Sequence, residues 1–189
     1  MSMIRLINVR TGVKWMGLFL MGVFFLLAGC ATPPKDFDPD IKGPQMIVEP
    51  GEVSLGVAAM TGTQIVFKGK GFEPEDSVFI QLISVKKGDE TVHVAVADAE
   101  VDKNGYFEAK VSTLVKVAEL LNARIGSNAK MENVIVITQP PIEAKTYTAR
   151  AVSMDSDKIA VCKLVVKEPS VGDNFKDWLG GVMGKIEKK

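Results

Sequence analysis

Between Gln45 and Lys167 apolar and polar residues alternate with period two in short runs. Gln64-Ile-Val-Phe-Lys, Ser77-Val-Phe-Ile-Gln-Leu-Ile-Ser-Val and Thr91-Val-His-Val-Ala-Val-Ala are β-branched or aromatic and of strand length. Tyr106-Phe-Glu-Ala-Lys-Val, Asn133-Val-Ile-Val-Ile-Thr, Lys145-Thr-Tyr-Thr-Ala-Arg-Ala-Val and Lys158-Ile-Ala-Val-Cys-Lys-Leu-Val-Val-Lys continue the pattern. Turn-forming residues separate them, at Gly69–Asp76, Lys87–Glu90, Asp102–Gly105 and Asp155–Asp157. Short strands at this spacing predict a mainly β protein, an antiparallel sandwich over residues 45–168. In the last run Ala160, Cys162, Leu164 and Val166 share one face, which makes Cys162 a small core side chain.

Two stretches carry the helical period instead. Ser112–Gly126 sets Leu114, Val117, Leu121 and Ile125 along one stripe, with Ser112 or Thr113 to cap the start and Gly126 the end. It predicts one helix inserted between strands. In the segment 169–189, Phe175, Trp178, Leu179, Val182, Met183 and Ile186 fall on one face, and Asp173 can cap the start. Lys176, Asp177, Lys185, Glu187, Lys188 and Lys189 take the other face of this C-terminal amphipathic helix. Gly180, Gly181 and Gly184 weaken it by about 1 kcal/mol each relative to Ala, so it needs a surface to fold on. That surface is its own sandwich, a partner protein or the headgroup region of a bilayer.

The first thirty residues are patterned differently. Arg5, Arg10 and Lys14 precede an apolar run from Trp15 to Leu27, which ends in Ala28-Gly29-Cys30. Such a run is too short for a ~30 Å hydrocarbon core, which takes about 20 residues. From Cys30 to Pro44 the chain is rich in proline and charge and reads as an extended tether, with an arm packed on the domain as the other reading.

Composition narrows the functions. Without the three cations of residues 1–29, 20 basic side chains face 23 acids, a charge near −3 that gives no footing on nucleic acid. His93 is the only histidine, which excludes a histidine-rich metal site and leaves a Ser-His-Asp set dependent on it. It alternates out of phase with Val92, Val94 and Val96, as a strand-surface residue does. No nucleophile elbow, Cys-x-x-Cys pair or phosphate-cradling loop is present. Glu100–Gly105 has the look of half a calcium loop, yet its twelfth position falls on Val111, so a hairpin using Asn104-Gly105 is the better account. No cofactor, metal site or catalytic group is expected.

Two resemblances add to this. Leu27-Ala28-Gly29-Cys30, behind a cationic stretch and an apolar run, resembles the lipobox of bacterial lipoprotein signals. The resemblance implies cleavage after Gly29, a diacylglycerol on the Cys30 thiol and a membrane-anchored protein. Ala31, where Asp would retain the protein at the inner membrane, implies the outer membrane if the source has two. An ordinary cleaved signal with a chance cysteine is the alternative. Gly69-Lys-Gly-Phe-Glu-Pro-Glu-Asp, Ala99–Phe107 and Thr146-Tyr-Thr-Ala-Arg-Ala resemble bacterial immunoglobulin-like domains, with Glu75 where the turn usually has a second glycine. That implies a fold and no particular activity. The expectation is a non-enzymatic envelope lipoprotein, an interaction or structural module, with the C-terminal stripe as the candidate site for an envelope protein partner. The alternative is a periplasmic small-ligand-binding domain using the cleft of the sandwich, between its sheets and near the inserted helix.

Overall fold

The alternating runs become strands in the computed structural model, which describes residues 36–188. Cys30 and the lipobox lie outside the described residues. In chain order the elements are β1 (Gln45–Glu49), β2 (Glu52–Ser54), α1 (Val57–Gly62), β3 (Val66–Lys70), β4 (Ser77–Lys87), β5 (Glu90–Glu100) and β6 (Tyr106–Lys110). There follow α2 (Thr113–Val115), continued by a wider π-type turn over Lys116–Leu120, then β7 (Ala123–Ser127), β8 (Asn133–Ile137), β9 (Thr146–Ser153), β10 (Ile159–Lys167), α3 (Val171–Val182) and β11 (Ile186–Lys188).

Three sheets result, ordered β1-β3-β6, β2-β10-β9-β4-β5 and β11-β8-β7. One apolar cluster joins the first two, with Val48, Phe67 and Phe107 from one sheet and Ile80, Tyr147 and Leu164 from the other. The protein is thus mainly β, with an arrangement consistent with a sandwich. The core draws on residues from Met46 onward and Lys35–Lys189 forms one compact unit, so this unit carries what its own folding needs.

Four expectations change. The sheets are not purely antiparallel: β2 runs parallel to β10 and β11 parallel to β8. Each of those strands has three residues, too few to show any periodicity. The inserted helix is shorter than Ser112–Gly126. Ser112 does cap it, its Oγ accepting from the Val115 amide at 3.2 Å, but Asn122 ends it in the left-handed region at φ 47°. Ile125 therefore lies in β7 and is exposed, as is Leu114, while Val117, Leu120 and Leu121 are buried. The wider turn brings Leu120 and Leu121 inward together, which an even 3.6-residue period does not anticipate.

Thirdly, Asp102–Gly105 is no hairpin within one sheet, because β5 and β6 belong to different sheets. The turn crosses between layers, with Gly105 at φ 78° and the Asp102 carboxylate accepting the amides of Asn104 and Tyr106 at 2.8 and 2.9 Å. Fourthly, the described end of the tether packs on the domain. The Gln45 side chain ties Asp38 and Ile41 to β1 through three 2.9 Å hydrogen bonds, and Phe37 meets Tyr106 edge-on at 6.3 Å.

Two polar groups inside the fold also had no counterpart in the pattern. The Lys116 ammonium donates to the carbonyls of Thr61 and Thr63, capping the end of α1; burial pushes its pKa down. Asp76 accepts from the hydroxyls of Ser153 and Ser156 and from the amides of Asp155 and Ser77.

Candidate functional site: the outward face of the C-terminal helix

Local chemistry sets both ends of α3. The cap is Ser170, not Asp173: Ser170 Oγ accepts the Asp173 amide at 3.1 Å, and the Asp173 carboxylate accepts the Ser170 amide at 3.0 Å, a reciprocal capping box. At the other end Gly184 turns left-handed at φ 68°. The Lys185 amide then reaches the Gly180 carbonyl at 2.9 Å and the Gly184 amide that of Gly181 at 3.0 Å. That is a Schellman closure, and it takes Ile186 off the helix into β11 beside β8. The expected stripe therefore loses its last member; Ile186 instead packs against the core.

The helix then docks by the side opposite its apolar stripe. Asp177 lies over the start of α1, its two carboxylate oxygens accepting the Val57 and Ala58 amides at 2.8 Å each. Asp173 accepts from Ser54 Oγ at 2.8 Å, and the Ser54 hydroxyl is the first cause of its lowered pKa, followed by Ser170. Two glycines allow close approach: a Cβ at Gly56 would stand 2.6 Å from Asp173 Cβ, and one at Gly180 2.7 Å from Ile186 Cδ1. Residues 173, 177 and 180 follow the same helical spacing as the stripe, so a polar and small-residue seam does the docking.

The stripe faces outward. Phe175, Trp178, Val182 and Met183 are 60%, 61%, 67% and 53% exposed, and Leu179 is 40% exposed. Phe175 and Trp178 stack with ring centroids 5.7 Å apart. Beside them a cleft of about 410 Å³ runs under Lys176, Gly180, Met183 and Lys185, walled by Val117, Val134 and Ile135 and edged by Ile125. A second cleft of about 390 Å³, on the far side of Ile186, is lined by Leu55, Leu121 and the segment Ile137–Pro141. Both clefts are largely apolar and open.

The remaining candidates are placed elsewhere. His93 is exposed on β5, its Nδ1 accepting the Ser84 amide at 3.3 Å. Cys162 is half-buried against the core between the buried Ala160 and Leu164, less enclosed than expected. Among the described residues no group of three or more His, Cys, Asp or Glu side chains could hold a metal ion, and no helix is long and apolar enough to cross a membrane.

The sequence reading found the apolar stripe but missed the docking seam. Asp173, Asp177 and Gly180 at i, i+4 and i+7 were the available signal; acids and glycines are normally counted as solvent-facing.

No protein-family model matches the chain, and no curated protein matches it in sequence. Among solved structures, macromomycin is 18% identical with a TM-score of 0.37, covering 66% of this chain and 99% of its own. A β-glucosidase from Listeria innocua in complex with glucose is 11% identical with a TM-score of 0.33; 75% of this chain matches 20% of that enzyme. Likenesses this weak carry no functional argument. The class defined by fold and site is a mainly β domain that displays an apolar helix face.

Proposed function

We propose that this protein is a lipid-anchored envelope lipoprotein whose domain, an immunoglobulin-like sandwich, is a non-enzymatic interaction or structural module. The observation that carries this is the outward stripe of α3, anchored from behind by Asp173 and Asp177 and left without a partner side in the domain itself. Contiguous apolar surface of that kind marks interaction sites. The lipobox pattern ending at Cys30 supports the anchor, and Ala31 supports the outer membrane in a two-membrane source.

Two details support the immunoglobulin-like reading. Tyr147 is buried near the start of β9, its hydroxyl donating to the Glu143 carbonyl four residues upstream at 2.9 Å, in the manner of a tyrosine corner. Glu75 takes φ 65°, the left-handed conformation for which the family's turn uses glycine.

Mass spectrometry of the mature protein tests the anchor: the chain should begin at Cys30 with added acyl mass, and Cys30→Ala should block processing there. Photocrosslinking from position 178 in native envelopes tests the module. Adducts at that position, with none from a probe at the exposed Lys163 on β10, support it; equal labelling at both refutes it. A second reading, small-ligand binding, draws on the 410 Å³ cleft, which lies beside α2 but is bounded by α1, α3, β7 and β8 and not by the two sheets that share the core.

A further inference from the structure

We infer that the outward face of α3 docks on an anionic lipid bilayer, which rests on reading that face as an interaction surface. The charges around it select this occupant. Both carboxylates of α3 are turned inward, Asp173 onto Ser54 and Asp177 onto the α1 amides, so neither opposes an anionic surface. Lys176 and Lys185 flank the stripe at the mouth of the cleft, whose lining contains no acid. An interfacial helix has this make-up: bulky apolar and aromatic side chains on one face, lysines at its margins, and a length well short of a membrane span. Phe175 and Trp178 supply the rings that settle at headgroup depth. The apolar walls of the cleft extend the patch past Met183 to Ile125.

The protein contains its own reporter. The only tryptophans are Trp15 and Trp178, so in the self-contained unit Lys35–Lys189 tryptophan emission, excited selectively over the two tyrosines, comes from the stripe alone. The emission should be that of a water-exposed indole in buffer. It should shift to the blue on adding vesicles of phosphatidylcholine with a quarter phosphatidylglycerol, and brominated acyl chains should quench it. Because each lysine near an anionic surface contributes about 1 kcal/mol, Lys176→Ala with Lys185→Ala should weaken binding about thirtyfold. Leu179→Asp should abolish the shift, with an unchanged far-ultraviolet circular dichroism spectrum showing that α3 is still folded. No shift with anionic vesicles overturns the inference, and so does equal binding to pure phosphatidylcholine. A blue shift that grows with protein concentration in the absence of vesicles also overturns it, in favour of a second copy. Emission already blue in dilute buffer overturns both this inference and the module reading, because the stripe would then be buried within the domain.

Discussion

The orientation of α3 predicts opposite outcomes for two adjacent residues. Asp177→Ala removes a carboxylate that receives two backbone amides at 2.8 Å, leaving the first turn of α1 uncapped and α3 without its main polar attachment. Capping bonds of this type contribute about 1 kcal/mol each, so the expected loss is about 2 kcal/mol. For a domain of this size that lowers Tm by about 4–8 °C. Trp178→Asp, one residue on, places a charge on a side chain that is already 61% exposed. The expected effect is within about 0.5 kcal/mol, a shift of about 2 °C or less. Were Trp178 packed in a core, the same substitution would cost several kcal/mol, reversing the order of the two variants. Thermal unfolding of Lys35–Lys189, followed by circular dichroism, reads both. A Trp178→Asp loss equal to or larger than that of Asp177→Ala would refute the outward orientation, and with it the docking seam.

Two further outcomes are expected. The Ser153 hydroxyl first, with the Asp155 amide, the Ser156 hydroxyl and the Ser77 amide, outweighs burial and holds the Asp76 carboxyl down to about 2, from 3.8. A depressed carboxyl stabilises the fold fully above its unfolded value and loses that contribution as pH falls through the folded one. The Tm gap between the native domain and Asp76→Asn should therefore narrow between about pH 4 and pH 2; a constant gap would refute the network. Tyr147→Phe should lower stability by about 1 kcal/mol in urea titration by leaving the Glu143 carbonyl without its donor, and an unchanged midpoint would mean the corner contributes nothing.

The sequence by itself determined the strand content, the Cys162 alternation, the exposure of His93 and the existence of an apolar stripe near the C-terminus. These follow from local period, since a strand or helix reports its own faces whatever it packs on. Only the tertiary structure decided where elements end and which face is turned inward. Asn122 and Gly184 close their helices through amide–carbonyl pairings that depend on the backbone conformation at one residue, and either chain could have continued on propensity alone. The parallel pairing of β2 and β11 comes from contacts between segments far apart in sequence. The orientation of α3 was the least legible. Helical periodicity shows that one side of α3 is apolar and is silent about which side packs. Here the Asp177 carboxylate found unpaired amides at the start of α1, Asp173 took the Ser54 hydroxyl and Gly180 fitted against Ile186, so the polar seam docked and the aromatic stripe was left facing outward.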